Sequence, residues 1–299
     1  MPRYKDVCPS CGGNSLYTKG FKYCFKCGHT ELPEGFQRRE HQSPYNTIIL
    51  QALYNTISSE YQKELQRRPK VIEYLKQRGL TEQDIETYQL GYCPSGFLSV
   101  YKEHHQSFID GGLGYVKDGV YTCYLAGSIT FPYLVRGNVS DIRGRVVRKD
   151  GKYRFTSLAN SAKLRGARFA YNYREEELDT VYITEGELKT VVLQHVVEDT
   201  RTNACGLPGI TNIRKLPKAK QYGILLDTDP DFTQIVKSVY SITQQLERQG
   251  VERHNVFATR LPSIFGKGVK VGVDDYILAG KDVSTLAFHQ VDQWFSLVR

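Results

Sequence analysis

A short apolar strand that ends on a carboxylate constrains this chain of 299 residues more than any other feature. Residues 181–184, Val-Tyr-Ile-Thr, predict a buried strand, and Glu185 follows at its end. Gly186 and an apolar-periodic run over 188–197 then predict the start of a helix. A carboxylate in this position points into the crevice where open α/β sheets bind ligands, so the pattern predicts an α/β arrangement with a site at one sheet edge.

A second strand repeats this pattern about forty residues later. Residues 222–226 form an apolar run, and Asp227 and Asp229 follow it. Side chains two residues apart on an extended chain point the same way, and Glu185 would meet them from the neighbouring strand. Because Mg²⁺ is held by a few carboxylates plus substrate phosphates, we expect these three residues to be catalytic and to bind Mg²⁺ or Mn²⁺. Solvated strand ends are the alternative.

Four of the seven cysteines form two C-x2-C pairs near the N-terminus, at Cys8, Cys11, Cys24 and Cys27. Four thiolates at this spacing predict one closed, structural Zn²⁺ site, with a redox dithiol as the alternative. Aromatic and basic residues alternate over 17–26 between the pairs. They suit either a surface for single-stranded nucleic acid or the core of a small ribbon.

Charge is unevenly distributed along the chain. The net charge is +8, and residues 136–168 contain ten Lys or Arg against two Asp. Such a stretch predicts a polyanionic partner whose phosphates the basic side chains grip, although a solvated basic face is the alternative for any one residue. Without an apolar run of membrane-spanning length or a signal peptide, we expect an intracellular protein with no membrane partner.

The E-G-x-x-K sequence of Glu185–Lys189, followed by D-x-D at 227–229, resembles a TOPRIM domain, the metal-binding fold of DnaG-type primases, topoisomerases and some nucleases. Other segments are similar to the DnaG-type catalytic core: Y-L-x-x-R-G-L at 74–80, G-Y-x-P at 91–94 and F-P-Y at 131–133. With the cysteine pairs, the resemblance spans most of the chain.

The resemblance implies an α/β fold, α+β overall, in four segments. Residues 1–32 are expected to form a zinc ribbon for template recognition, and 33–60 a linker with the start of a helix. Residues 61–175 are expected to form a basic, mixed N-terminal subdomain of the catalytic core. Residues 176–299 are expected to form the Rossmann-like TOPRIM domain with a C-terminal extension.

The resemblance also selects basic residues for nucleic-acid or nucleotide binding. They are Arg143, Arg145, Lys152, Arg165 and Lys189. Arg143 stands where the family has a glycine, and Lys189 stands where it has an acid, which removes one negative charge from the metal cluster. Asp274 and Asp275 match the family's further metal-binding acids, and Asp231 is either an accessory ligand or a helix cap.

The function implied is a DNA primase, either of the compact phage, plasmid or mobile-element form or as the primase half of a longer protein. It would make RNA primers from NTPs on a single-stranded DNA template in the cytoplasm of a bacterial cell or a phage-infected host. Because few residues follow Asp275 and no Gly-x-x-x-x-Gly-Lys loop occurs, we expect the replicative helicase to be a separate protein. A TOPRIM nuclease, or a catalytically inactive accessory that binds single-stranded DNA, are the alternatives.

Overall fold

The computed structural model describes residues 16–17, 22–24, 30–31, 47–97, 104–147, 153–158, 169–197, 199–209, 214–228, 232–266 and 269–298. The chain divides into two compact units, Met1–Gln42 and Ser43–Arg299. Across the described residues, the helices all lack the length and apolar character that a membrane crossing needs.

The first unit contains a small antiparallel sheet of three strands. They are β1 (Leu16–Tyr17), β2 (Lys22–Cys24) and β3 (Thr30–Glu31), with β2 in the middle. Cys24 pairs with Leu16 across the first ladder. The side chain of Cys24 and the whole of Cys8, Cys11 and Cys27 lie outside the described residues, so the zinc site stays a prediction.

The second unit begins with helices whose bounds follow local signals. The described helices are α1 (Thr47–Gln66), α2 (Pro69–Gln77), α3 (Glu82–Thr87), α4 (His105–Asp110), α5 (Glu187–His195), α6 (Phe232–Arg248), α7 (Val273–Leu278) and α8 (Val291–Leu297). Apolar periodicity predicts α1 over 48–68, and the structure confirms it. Pro69 opens α2, where its missing N–H costs nothing. The spacing of Thr81 and Asp84 predicts a capping pair at a helix start, and the two residues form the capping box of α3.

An antiparallel sheet follows these helices. It has the order β4-β7-β8-β9, and a separate hairpin joins β5 to β6. The strands are β4 (Gly91–Cys93), β5 (Gly114–Lys117), β6 (Val120–Cys123), β7 (Ser128–Val135), β8 (Asn138–Val147) and β9 (Tyr153–Ser157). β8 lies between β7 and β9, so Arg143 and Arg145 stand on an inner strand.

The last part of the chain forms a mostly parallel sheet of order β11-β10-β12-β13-β14, in which only β14 runs antiparallel among the described strands. The strands are β10 (Leu178–Glu185), β11 (Thr202–Leu207), β12 (Ala219–Ile224), β13 (Val256–Ala258) and β14 (His289–Gln290). β10 ends at Glu185 as predicted. The strand predicted over 222–226 instead runs from Ala219 to Ile224, because its pairing with β10 begins at Leu178.

Two hydrophobic clusters fix the site within this unit. One packs α6 and α8 on the parallel sheet through residues such as Val239 and Trp294. Another joins Leu75 of α2, Phe131 of β7 and Leu188 of α5. Since this second cluster includes residues from the antiparallel sheet and from the helix that follows Glu185, the two sheets share a core, whose burial contributes roughly 1.5–3 kcal/mol per large apolar side chain.

Asp84 joins the start of α3 to His195 of α5 through its two carboxylate oxygens. Its Oδ2 accepts bonds of 2.6 Å from both the backbone N–H and the hydroxyl of Thr81, and its Oδ1 lies 2.6 Å from Nε2 of His195. We predict that Asp84→Ala lowers the free energy of unfolding by about 1–3 kcal/mol, because a helix cap and a buried contact are lost together. Urea unfolding followed by circular dichroism measures this. The control is Glu86→Ala on the exposed face of the same helix, and equal stability of the two variants would contradict the prediction.

Candidate active site

The crevice lies where β10 and β12 end, next to the start of α7. Glu185 is the last residue of β10 and is partly exposed. Gly186 follows with a φ of 86°, a left-handed conformation that favours glycine, and it caps α5. The chain therefore turns sharply after Glu185 and presents the first turn of α5 to the crevice.

Asp227 lies three residues beyond β12 and is 5% exposed. Its Oδ2 lies 2.5 Å from Nζ of Lys189 and 3.3 Å from Nζ of Lys270. Its Oδ1 is buried and has no hydrogen-bond partner among the described residues. The neighbouring Thr228 fixes this position, because its N–H donates to the carbonyl of Val271 over 2.9 Å.

Asp274 and Asp275 begin the short helix α7 beside Asp227. Asp274 is fully buried, and its Oδ2 accepts a hydrogen bond from Nη2 of Arg78. Its Oδ1 has no hydrogen-bond partner within the part of the chain that the structure describes. Burial raises the pKa of Asp274, against the opposing charges of Lys189 and Arg78. Asp275 accepts a 3.0 Å bond from the N–H of Gly272 and so holds the loop that precedes α7.

Gly272 lies against the side chains of Asp274, Lys189 and Asp227 and leaves no space for a Cβ of its own. A Cβ placed there would lie 2.4 Å from Oδ1 of Asp274, 2.7 Å from Cε of Lys189 and 3.3 Å from Oδ1 of Asp227. The two carboxylate oxygens and the Lys189 side chain therefore meet over Gly272, where any side chain on residue 272 would clash with them.

A buried carboxylate that sequence reasoning missed forms the back of the crevice. Glu187, the first residue of α5, is fully buried. Its Oε1 accepts a 2.7 Å bond from Nη1 of Arg143 and a 2.5 Å bond from the hydroxyl of Tyr133. Burial and the charge of Glu187 raise the pKa of Tyr133 far above its usual value, so this hydroxyl remains a donor.

The residues enclose a cavity of about 360 Å³. Its described lining contains five acids, which are Glu185, Glu187, Asp227, Asp274 and Asp275. It also contains five basic residues, which are Arg78, Arg143, Arg145, Lys189 and Lys270. Phe155 of β9 completes one wall, and the guanidinium carbon of Arg145 lies 5.4 Å from the centre of its ring. The formal charges of this described lining balance.

The described carboxylates provide some of the oxygen ligands that a hard cation such as Mg²⁺ needs. Within the described ranges, no group of three or more His, Cys, Asp or Glu side chains is placed to hold a metal ion. Asp229, the third predicted ligand, lies outside those ranges. The unpartnered Oδ1 atoms of Asp227 and Asp274 are nevertheless the oxygen ligands that Mg²⁺ and Mn²⁺ prefer.

Residues 60–174 match the family model described as DNA primase catalytic core, N-terminal domain. This stretch of the chain is therefore similar to the N-terminal domain of a primase catalytic core. A DNA primase of Legionella pneumophila is 26% identical over 234 aligned residues, which cover 65% of this chain and 40% of that protein. The chain thus matches well under half the length of this relative.

Solved structures show the same fold. The zinc-binding and RNA polymerase domains of Aquifex aeolicus primase superpose with a TM-score of 0.63 at 18% identity, covering 95% of this chain and 79% of that chain. A DnaG primase catalytic domain bound to single-stranded DNA gives 0.63 at 18% identity, covering 79% and 76%. These likenesses confirm the predicted α/β, α+β fold class.

The second unit brings most of the predicted site residues to one cavity. Glu185, Asp227, Asp274, Asp275, Lys189, Arg143 and Arg145 all line it. Asp229, Asp231, Lys152 and Arg165 lie outside the described residues. Arg143 is only 7% exposed and donates a hydrogen bond to Glu187. It therefore stabilises the packing of the cavity wall and also contributes positive charge to the cavity. The roles of all these residues remain predictions.

Sequence reasoning missed Arg78, Glu187, Lys270 and Gly272 as site residues. Arg78 belongs to the Y-L-x-x-R-G-L segment, and Lys270 and Gly272 follow a basic, glycine-rich loop. Glu187 follows Gly186 directly, so a second carboxyl group two residues beyond Glu185 at the end of the strand was the available signal.

The buried pair of Glu187 and Arg143 gives a stability prediction. Replacing Glu187 by Gln leaves the Arg143 guanidinium buried without a counter-charge, so we expect a loss of about 3–5 kcal/mol in the free energy of unfolding. The matched control is Glu175→Gln, which breaks an exposed pair with Arg136 and is expected to cost under about 1 kcal/mol. Urea unfolding of both variants measures the difference; similar midpoints would refute it.

Proposed function

We propose that this chain is a DNA primase that synthesises short RNA primers on single-stranded DNA by metal-dependent nucleotidyl transfer during replication. The observation that carries the proposal is the cavity in which strand-end carboxylates face the basic side chains of an antiparallel sheet. The cavity lies in a fold that this chain shares with primase catalytic domains, one of them solved with single-stranded DNA. This likeness supports the same activity.

Carboxylates on one side of the crevice would bind the metal. In this proposal Glu185, Asp227 and Asp229 hold Mg²⁺ or Mn²⁺, with Asp274 and Asp275 beside them. When bound, the metal shields the triphosphate and stabilises the charge that develops as a 3′-oxygen attacks the α-phosphorus and pyrophosphate leaves. The protein contributes position and charge, so no side-chain nucleophile is needed.

Basic side chains on the opposite wall would bind the phosphates. Arg145 lies on the inner strand β8 and lines the cavity, where it suits a template phosphate or the incoming nucleotide. Arg143 is held by Glu187 and contributes a fixed positive charge behind it. Lys152 and Arg165, which lie outside the described residues, are proposed to bind nucleic acid or nucleotide, and Lys189 is proposed to face the nucleotide.

Primer synthesis is the direct test. We expect labelled oligomers from NTPs and Mg²⁺ or Mn²⁺ on a single-stranded template, and a loss of at least about 100-fold in Asp227→Ala because a metal ligand is removed. Glu252→Ala, an exposed acid away from the cavity, should retain wild-type activity. Failure to form product on any template would sink the proposal.

A catalytically inactive accessory that binds single-stranded DNA is the second candidate. The observation that favours it is the contact of two lysines with Asp227, which places fixed positive charge where a metal ligand is needed. In that case DNA binding that weakens with salt would persist with no product in the synthesis assay.

The protein is proposed to act with a separate replicative helicase in the cytoplasm of a bacterial cell or a phage-infected host. Its first unit is proposed to be a zinc ribbon that selects the template site. Cys8, Cys11, Cys24 and Cys27 would hold the metal as thiolates.

The zinc ribbon predicts one tightly bound Zn²⁺ per chain. Elemental analysis of purified protein should give a ratio near one, falling toward zero in Cys27→Ser because a closed site needs all four thiolates. The matched control is Cys205→Ala, a buried cysteine of β11, which should keep the metal. A wild-type protein free of zinc would rule out the ribbon.

A further inference from the structure

Two buried cysteines meet where the β5–β6 hairpin contacts the four-stranded antiparallel sheet. Cys93 is the last residue of β4 and is fully buried, and Cys123 is the last residue of β6 and is 5% exposed. Their Sγ atoms lie 3.6 Å apart, within one hydrophobic cluster. Since β4 and β6 belong to different sheets, this contact joins two parts of the fold that are paired separately.

The sulfur of Cys123 lies among hydrogen-bond donors. The thiol of Cys93 donates to it, and the hydroxyl oxygen of Tyr61 of α1 is 3.7 Å away. The hydrogen bond from Cys93, helped by the N–H groups of Leu125 and Ala126, lowers the pKa of Cys123 against the opposing effect of burial. Burial raises the pKa of Cys93. Because the thiolate is the nucleophilic form, Cys123 is the more reactive sulfur of the two.

Cys205 of β11 provides a comparison. It is also fully buried, but its sulfur accepts a 3.0 Å hydrogen bond from the amide of Asn203 and donates one of 3.4 Å to the carbonyl of Asn172. Burial raises the pKa of Cys205 to about 12, so this thiol is unreactive. Burial is thus common to all three thiols, and the contact between two sulfurs is what sets Cys93 and Cys123 apart.

We propose that Cys93 and Cys123 form a reversible disulfide when the protein meets hydrogen peroxide, and that this bond ties the hairpin to the sheet. The Sγ atoms need to approach by only about 1.5 Å to reach the roughly 2.05 Å of a disulfide bond. The inference is independent of the proposed nucleotidyl transfer.

The reaction balances with peroxide as the only oxidant. The Cys123 thiolate attacks one peroxide oxygen, the O–O bond breaks, and the departing hydroxide takes up a proton to leave as water. The Cys93 sulfur then attacks the resulting sulfenic acid. The S–S bond forms, the S–O bond breaks, and the Cys93 proton leaves with the hydroxide as a second water. Peroxide gains the two electrons that the two thiols lose.

The bond would close a loop that contains α4 and β5. It would restrict the unfolded chain over the intervening residues 94–122, and such a restriction stabilises the folded state. Because β4 pairs with β7, and β7 pairs with β8, the hairpin would become covalently joined to the sheet that carries Arg145.

Peptide mapping of the whole wild-type chain tests the pairing. The folded protein is treated with hydrogen peroxide, free thiols are blocked with iodoacetamide, and a digest made without reductant is analysed by mass spectrometry. We expect a peptide cross-linked between Cys93 and Cys123 that dithiothreitol removes, whereas Cys205 is recovered alkylated. Recovery of Cys93 and Cys123 as free thiols, as separate oxidised acids, or in bonds to other cysteines would overturn the inference.

Thermal unfolding gives a second readout. Oxidation should raise the Tm of the wild type by about 5 °C relative to Cys93→Ala, when each protein is compared with its own reduced form. Oxidation of the four N-terminal cysteines affects both proteins equally, so it cancels in this comparison. The matched control is Cys205→Ala, which should keep the cross-link and the wild-type shift. Equal shifts in the wild type and in Cys93→Ala would contradict the proposal.

Discussion

The buried carboxylate of Glu187 is the interaction on which the site depends. It is fully buried at the start of α5 and accepts hydrogen bonds from Tyr133 of β7 and Arg143 of β8. A charge removed from water is tolerated only where partners compensate it, so the antiparallel sheet must meet α5 in one arrangement. A second buried pair, Arg214 with Asp141 at 2.8 Å, lies against Tyr133 and fixes the same junction from the other side.

Local patterns in the sequence predicted much of this architecture. Apolar periodicity predicted α1 to within a few residues, and the capping residues of α3 predicted its start. The strand before Glu185 was predicted because its apolar run and the glycine after it are adjacent in the chain. The proximity of Glu185 and Asp227 was predicted because the carboxyl ends of neighbouring parallel strands meet at one edge of the sheet, where ligands bind. This rule needs no knowledge of side-chain contacts.

Contacts between distant segments could not be predicted in the same way. Arg78 meets Asp274 across 196 positions, and Arg143 meets Glu187 across 44. A single sequence carries no sign of such pairing, so Arg143 was assigned only to nucleic acid although its guanidinium also completes a buried ion pair. The shift of β12 toward Ala219 has the same origin, because pairing with β10 sets its start and hydrophobicity alone does not.

The contact of Arg78 with Asp274 also bears on how the protein unfolds. Arg78 follows α2 near the start of the second unit, whereas Asp274 begins α7 near its end. Separation of the two segments would leave a buried carboxylate without its guanidinium, so local opening at either end is coupled to the other. We expect limited proteolysis and hydrogen exchange to show that the segments around the crevice open as one cooperative unit.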